Sequence, residues 1–171
     1  MRKLWLSLLL VPMFAFVTTD WVSVQLNNRV SVSFPTQPDE KEMSGNQVWV
    51  QDAGSDARCM VMMMDFNKFG MDSTMLSAEM QKEESFEQFQ EGIIGQIEGA
   101  KLISRKKTTT NGYLTFEYVI DMGKTDEGAL NIMYNKNVFV GAMMYSLSFY
   151  EKNKKPQAEV RNKFFNSLKI K

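Results

Sequence analysis

Methionine is the residue type with the clearest chemical potential in this sequence. Four of the nine residues in the segment RCMVMMMDF are methionines, namely Met60, Met62, Met63 and Met64. Thioether sulfur binds soft metal ions such as Cu(I), but methionine also fills irregular spaces in protein cores. In a strand, alternation places Met63 on the face opposite to the other three, which divides the sulfurs. We therefore expect Met60, Met62 and Met64 to be core residues, with a methionine-lined apolar pocket for a small ligand as the alternative.

Glutamate recurs at every fourth position over one stretch of the chain, at Glu79, Glu83, Glu87 and Glu91. In a helix this spacing places the four side chains of this glutamate series on one face, where each like-charge pair costs about 0.2–0.5 kcal/mol. Lys82 is a nearby cation, but the local sequence does not offset the repulsion fully. A solvated helix face accounts for the pattern, and a docking surface for a basic protein partner is the functional alternative.

Residue types needed for catalysis are scarce. The chain has no histidine, which removes the commonest general base and the Ser-His and Cys-His pairings. Cys59, the only cysteine, lies in an apolar segment and is expected to be a buried, inert thiol. The segment DAGSD (52–56) lacks the further ligands and the terminal glutamate of a calcium loop. We therefore predict a protein that is not an enzyme, with no catalytic residue, no metal site and no cofactor.

The charge balance bears on which partners the protein can bind, and the apolar N-terminal run bears on the compartment in which it functions. The 171 residues include 20 basic and 20 acidic ones, so the sequence gives no general attraction to nucleic acid. Arg2 and Lys3 precede an apolar run, Leu4 to Val17, that is shorter than the roughly 20 residues of a membrane-spanning helix. This pattern predicts a signal peptide over residues 1–19, cleaved within residues 15–19, and export to the periplasm or the extracellular space without stable membrane insertion. An uncleaved membrane anchor is the alternative.

The first predicted element after the signal peptide is a β-hairpin, because apolar and polar residues alternate from Val22 to Phe34. A three-residue loop at positions 27–29 pairs Val24 with Val32 and keeps the apolar residues on one face, whereas a two-residue loop would mix the faces. We expect an asparagine of this loop to adopt the left-handed conformation. Pro35 ends the second strand because it has no N–H for the ladder.

The rest of the chain predicts further hairpins and two helical regions. The polar segment 39–45 is interpreted as a connection, and the helical region 74–98 is expected to break near Ser85. Asn111-Gly112 is the strongest hairpin signal, and Asn135-Lys136-Asn137 is interpreted as another turn. The other predicted strands lie at 47–51, 58–66, 101–109, 113–122, 129–134 and 138–149, and a last helix lies at 156–166. Residues 20–171 thus form a single predicted α+β domain, mainly an antiparallel sheet with helices packed on it.

Several of these segments resemble the PsbP-like superfamily. They are the strand VSVSFPTQP (30–38), the helical region ending near Gly99, the strand pair around Asn111-Gly112 and the closing NKFFNSLKI (162–170). The superfamily includes lumenal extrinsic proteins of the photosystem, a Ran-binding import factor and many exported bacterial proteins. The resemblance implies an α/β/α sandwich and a non-catalytic binding or accessory role. The metal-site residues of the photosynthetic members have no recognisable counterpart in this sequence.

Together these observations predict an exported, non-catalytic binding protein of the cell envelope that acts by protein–protein interaction. The predicted partner is a basic envelope protein at the glutamate series. The alternative is a carrier of a small apolar ligand or a soft metal ion in a methionine-rich interior.

Overall fold

The described residues form ten strands and three α-helices. The structure is a computed structural model that describes residues 20–123, 130–152 and 155–171, so the predicted signal peptide lies outside it. The strands are β1 (Val22–Gln25), β2 (Val30–Phe34), β3 (Asp39–Met43), β4 (Asn46–Asp52), β5 (Ala57–Asp65), β6 (Lys101–Thr110), β7 (Tyr113–Asp121), β8 (Leu130–Val140), β9 (Met143–Lys152) and β10 (Lys169–Ile170). The helices are α1 (Ser73–Gln81), α2 (Glu83–Ile94) and α3 (Ala158–Asn166), with a short 3-10 helix at Phe66–Phe69.

Within the described ranges, seven strands form one sheet and three form a smaller one. The order in the large sheet is β3-β4-β5-β9-β8-β7-β6, and the order in the small sheet is β1-β2-β10. Every neighbouring pair in both sheets is antiparallel. The predicted fold class, α+β with a mainly antiparallel sheet, is therefore confirmed.

The two faces of the large sheet are covered by different elements. One face, which includes Val61 and Leu147, packs against the small sheet and α3, and Phe164 of α3 contacts Phe34 at 5.5 Å between ring centroids. The other face, which includes Phe116, packs against α1 and α2. We call these the small-sheet face and the α1–α2 face. Because side chains alternate along each strand, successive residues contribute to opposite faces.

The first hairpin has the predicted register, with Val24 opposite Val32 across a three-residue loop. The prediction that a loop asparagine adopts the left-handed conformation is wrong, because neither Asn27 nor Asn28 has a positive φ. Instead, the side-chain oxygen of Asn27 accepts hydrogen bonds from the backbone N–H groups of Arg29 and Val30, both at 2.9 Å. Asparagine commonly closes turns in this way, and the contact satisfies loop donors that would otherwise depend on water.

Strand β3 corrects the interpretation of residues 39–45 as a connection. All five residues of β3 are exposed and it lies at one edge of the large sheet, so no apolar alternation marks it in the sequence. Ser44 (φ 52°) and Gly45 (φ 76°) form the turn to β4. Two successive positive φ values are typical of a tight hairpin turn, and the charged residues of β3 disfavour edge-to-edge pairing with other chains.

Strand β8 corrects the interpretation of Asn135-Lys136-Asn137 as a turn. The strand is continuous across these residues, and the turn to β9 lies at Gly141-Ala142. Asparagine is depleted in strands, but here the Asn135 side chain is hydrogen-bonded to neighbouring strand β9. Tertiary contacts therefore override the local preference. The predicted beginning of this strand at Ala129 lies outside the described residues.

The helical region 74–98 is divided into α1 and α2, as predicted, but the break lies at Lys82 rather than at Ser85. Lys82 has extended backbone angles (φ −67°, ψ 142°). Asp72 caps α1, since its side chain accepts hydrogen bonds from the backbone N–H groups of residues 74 and 75. None of the described helices is long and apolar enough to span a membrane.

Candidate functional site

Helix α2 is anchored at one side of the α1–α2 face. Phe86 packs on Phe116 with 4.7 Å between ring centroids, and its backbone carbonyl accepts a hydrogen bond from the Tyr118 hydroxyl at 3.1 Å. Phe89 packs on Phe116 and Phe139, at 6.0 and 5.8 Å. These contacts hold α2 over β7 and β8, so the helix does not cover the neighbouring part of the sheet to the same extent.

Beside this aromatic contact lies a cavity of about 770 Å³ that is partly open to solvent. Its floor is the sheet, and residues of α1 and α2 form its walls. Eight methionines line it, namely Met60, Met62, Met64, Met71, Met80, Met122, Met133 and Met144. Helix α2 contributes Phe89, Ile93 and Gly92, and an added Cβ at Gly92 would meet no atom within 4 Å. Most of the lining is therefore apolar and flexible.

The floor of the cavity combines methionine with polar residues. Strand register places a methionine of β5, a serine of β9 and an asparagine of β8 side by side in two rows. The rows are Met60–Ser148–Asn135 and Met62–Ser146–Asn137. The next row, Met64–Met144–Phe139, is apolar. The polar patch is thus bordered by apolar side chains, and we call its four serine and asparagine residues the floor cluster.

The floor cluster is buried but incompletely hydrogen-bonded. Asn135 is 7% exposed and Asn137 is 1% exposed. Asn135 Nδ2 donates hydrogen bonds to Ser146 Oγ at 3.0 Å and to Ser148 Oγ at 2.8 Å. Among the described residues, Asn135 Oδ1 and Asn137 Nδ2 have no hydrogen-bond partner. Each buried polar atom left without a partner costs about 1–3 kcal/mol, so the cavity floor carries one acceptor and one donor that a bound molecule could satisfy.

One carboxylate lies in the cavity wall. Glu79 is the only charged side chain among the described residues that line the cavity. Its carboxylate accepts a hydrogen bond from Lys82 Nζ at 2.6 Å and another from Ser85 Oγ at 2.8 Å. These two hydrogen bonds lower the pKa of Glu79 below its usual range, so it is ionised at neutral pH.

The glutamate series does not form the single helix face that its spacing predicts. The break at Lys82 separates Glu79, at the cavity, from the other three residues on α2. Arg105 of β6 lies beside two of these, with its guanidinium 3.6 Å from a Glu83 oxygen and 3.1 Å from a Glu87 oxygen. Sequence reasoning missed Arg105 because it is distant along the chain. Glu91 is exposed on α2.

The structure places Met60, Met62 and Met64 on one strand face, as predicted, and Met62 and Met64 pack against the buried residues of the α1–α2 face. All three are half-buried and line the cavity. Met63 lies on the opposite face of the strand and packs against the core on the small-sheet face. Met60, Met62 and Met64 remain half-buried because aromatic residues hold α2 over β7 and β8, which leaves the methionine face of β5 open.

Sequence reasoning missed the floor cluster altogether. The sequence does contain an indication of this cluster. In Asn135-Lys136-Asn137 and in Ser146-Leu147-Ser148, the first and third residues are of the same polar type. In adjacent antiparallel strands, such alternations place four polar side chains on one face. The interpretation of residues 135–137 as a turn excludes a position of the two asparagines opposite the serines, so the cluster does not follow from it.

Two other site predictions concern metals and thiols. Within the described ranges, no group of three or more His, Cys, Asp or Glu side chains could hold a metal ion. Cys59 is fully buried on the small-sheet face, and burial raises the pKa of its thiol to about 12. The expectation of a buried thiol is confirmed, and a neutral thiol is a poor nucleophile.

Comparison with solved structures identifies the fold. The solution structure of cyanobacterial PsbP from Synechocystis sp. PCC 6803 matches 95% of this chain and 99% of its own length, with a TM-score of 0.57 and 11% sequence identity. This chain has a PsbP-like fold. No protein-family model matches the sequence, and the comparison with curated proteins found no significant match. At this identity the likeness shows the fold alone.

Two crystal structures are less similar to this PsbP-like fold. A protein from Bacteroides thetaiotaomicron is 12% identical, with 83% of this chain and 45% of that chain covered and a TM-score of 0.40. A protein of unknown function from Pseudomonas aeruginosa is 11% identical, with 78% and 83% covered and a TM-score of 0.42.

Proposed function

We propose that the protein is a non-catalytic binding protein of the cell envelope that holds a small, mainly apolar ligand in the methionine-lined cavity. The observation that carries this proposal is the cavity of about 770 Å³ with eight methionines in its lining. Export is supported by the apolar run after Arg2 and Lys3, which is typical of a signal peptide.

The size and lining of the cavity favour a small molecule. Ligand pockets usually measure about 300–1,000 Å³ and have a mainly apolar lining with a few placed polar groups. Methionine is unbranched and polarisable, so a methionine lining adapts to ligands of different shape. A packed core would instead fill this volume, because protein interiors contain few voids larger than a water molecule.

The glutamate series gives less support to a basic protein partner. Arg105 already neutralises part of the charge of Glu83 and Glu87, and Glu79 is paired with Lys82. A basic envelope protein would have to compete with these contacts. We therefore place the ligand in the cavity rather than a partner on the helix.

Binding of the apolar fluorescent probe N-phenyl-1-naphthylamine to the purified full chain tests the proposal. We expect saturable fluorescence enhancement with one probe per protein. Gly92→Leu should weaken binding at least tenfold, because the new side chain fills space at the cavity and clashes with nothing within 4 Å of its Cβ. The matched control is Ala78→Leu, which adds a similar side chain at an exposed α1 position outside the cavity.

Two results would contradict the proposal. One is the absence of saturable probe binding to the folded wild-type protein. The other is stoichiometric uptake of Cu(I) that displaces the probe, because the cavity methionines would then serve a soft metal ion.

A further inference from the structure

The floor cluster carries information about the ligand beyond its apolar character. Asn135 Oδ1 and Asn137 Nδ2 are buried, belong to residues that line the cavity, and have no hydrogen-bond partner among the described residues. Buried polar atoms in native proteins are nearly always paired. A donor and an acceptor left unpaired on one cavity floor therefore point to a group that binds there.

The two asparagines are suitably placed to bind one head group. They are two residues apart on β8, so their side chains share a face and their backbones are about 7 Å apart. A small group with both an acceptor and a donor can lie between them and satisfy both. The hydroxyl groups of Ser146 and Ser148 on β9 accept hydrogen bonds from the Asn135 side-chain amide, which fixes the orientation of that side chain.

The charge of the cavity restricts the head group further. No lysine or arginine is among the described residues that line it, and its one charged group is the Glu79 carboxylate. An anionic head group on this floor would be buried without a counter-ion, which is strongly unfavourable. Lys82 and Ser85 already satisfy Glu79, so it offers little to a cation.

We infer that the cavity selects neutral amphiphiles, with the head group, a carboxamide or hydroxyl, on Asn135 and Asn137 and the apolar tail along the methionines. This inference rests on the proposed function, since it assumes that a small ligand enters the cavity. The tail accounts for the methionine lining, and the head group accounts for the two unpaired polar atoms.

Competition against N-phenyl-1-naphthylamine tests the inference with four ten-carbon compounds at pH 8: decanamide, decane, decanoate and decylammonium. We expect decanamide to displace the probe at a concentration at least tenfold lower than each of the other three. Asn137→Leu should reduce the preference for decanamide over decane to less than threefold, because the unpaired donor is removed. The control Asn162→Leu changes an exposed residue of α3 and should keep the wild-type preference.

The outcomes separate the two proposals. If decane and decanamide displace the probe equally, the head-group inference is overturned and the cavity proposal stands. Preference for decanoate or decylammonium also overturns it, as does an unchanged preference in Asn137→Leu. If the probe does not bind at all, both proposals fall. Should Asn137→Leu fail to fold, Asn137→Ser shortens the side chain while keeping a polar group, and the same loss of preference is expected.

Discussion

At the scale of single residues, the two faces of β5 place chemically similar side chains in different environments. Cys59 and Val61 are fully buried on the small-sheet face, whereas Met60 and Met62 are half-buried at the cavity. The buried side chains contribute packing, and the half-buried ones offer apolar surface that a ligand could cover. Transfer of apolar surface from water is worth about 25 cal/mol per Å², so this open surface can contribute binding energy.

Cys59 gives a prediction about pH dependence. An unfolded cysteine ionises near pH 8.5, but burial raises the pKa of the folded thiol to about 12. Between about pH 8.5 and pH 12 the unfolded chain therefore loses a proton that the folded protein keeps. The free energy of unfolding is therefore unaffected by ionisation of the thiol below this pH range. It decreases as pH rises through the range, by up to about 1.4 kcal/mol per pH unit.

Urea unfolding of the wild type and of Cys59→Ala between pH 8 and pH 10 measures this effect. The free energy of unfolding of the wild type should decrease more steeply with pH than that of the variant. The variant keeps the tyrosines, so their ionisation affects both proteins alike. Parallel pH profiles would show that the thiol titrates normally in the folded protein.

At the scale of elements, the predictable segments are those whose turn chemistry is local. The β1–β2 register follows from alternation, and Asn111-Gly112 forms the predicted turn with φ values of 51° and 82°. Strand β3 could not be predicted because an exposed edge strand has no apolar pattern. The continuity of β8 could not be predicted because it depends on the pairing of residues 135–137 with both β7 and β9, which local sequence does not show.

The attachment of α2 to β6 gives a prediction at this scale. Reversing Glu83 and Glu87 to Lys would place two cations beside Arg105, which now contacts both glutamates. These pairs are substantially exposed, so we expect the free energy of unfolding to fall by only about 0.5–1 kcal/mol at low salt. The loss should shrink in 1 M NaCl, where the Debye length is about 3 Å.

The matched control is Glu91→Lys, an exposed substitution on the same helix. The structure shows no ion pair for Glu91 within the described ranges, so the change should stay within about 0.5 kcal/mol at either salt concentration. An equal effect of both variants would mean that Arg105 does not couple α2 to the sheet.

At the scale of the whole molecule, one sheet separates a closed core from an open cavity. The small-sheet face is filled by β1, β2, β10 and α3, whereas the α1–α2 face is packed against α1 and α2 but leaves the cavity open beside them. The alternation of β5 was enough to predict which methionines share a face. It could not predict that the face is open, because that depends on where Phe86 and Phe89 anchor α2, a contact between residues distant along the chain.

The central claim is that an apolar ligand binds among the cavity methionines, and methyl NMR tests it most directly. The protein is labelled with 13C at the methionine methyl groups and titrated with N-phenyl-1-naphthylamine, whose aromatic rings shift nearby methyl signals. We predict that the signals of the eight cavity methionines shift and saturate together. The signals of the exposed Met43 and Met75, and of Met63 on the small-sheet face, should not move. Shifts confined to Met43 and Met75, or no shifts at saturating probe, would contradict the account.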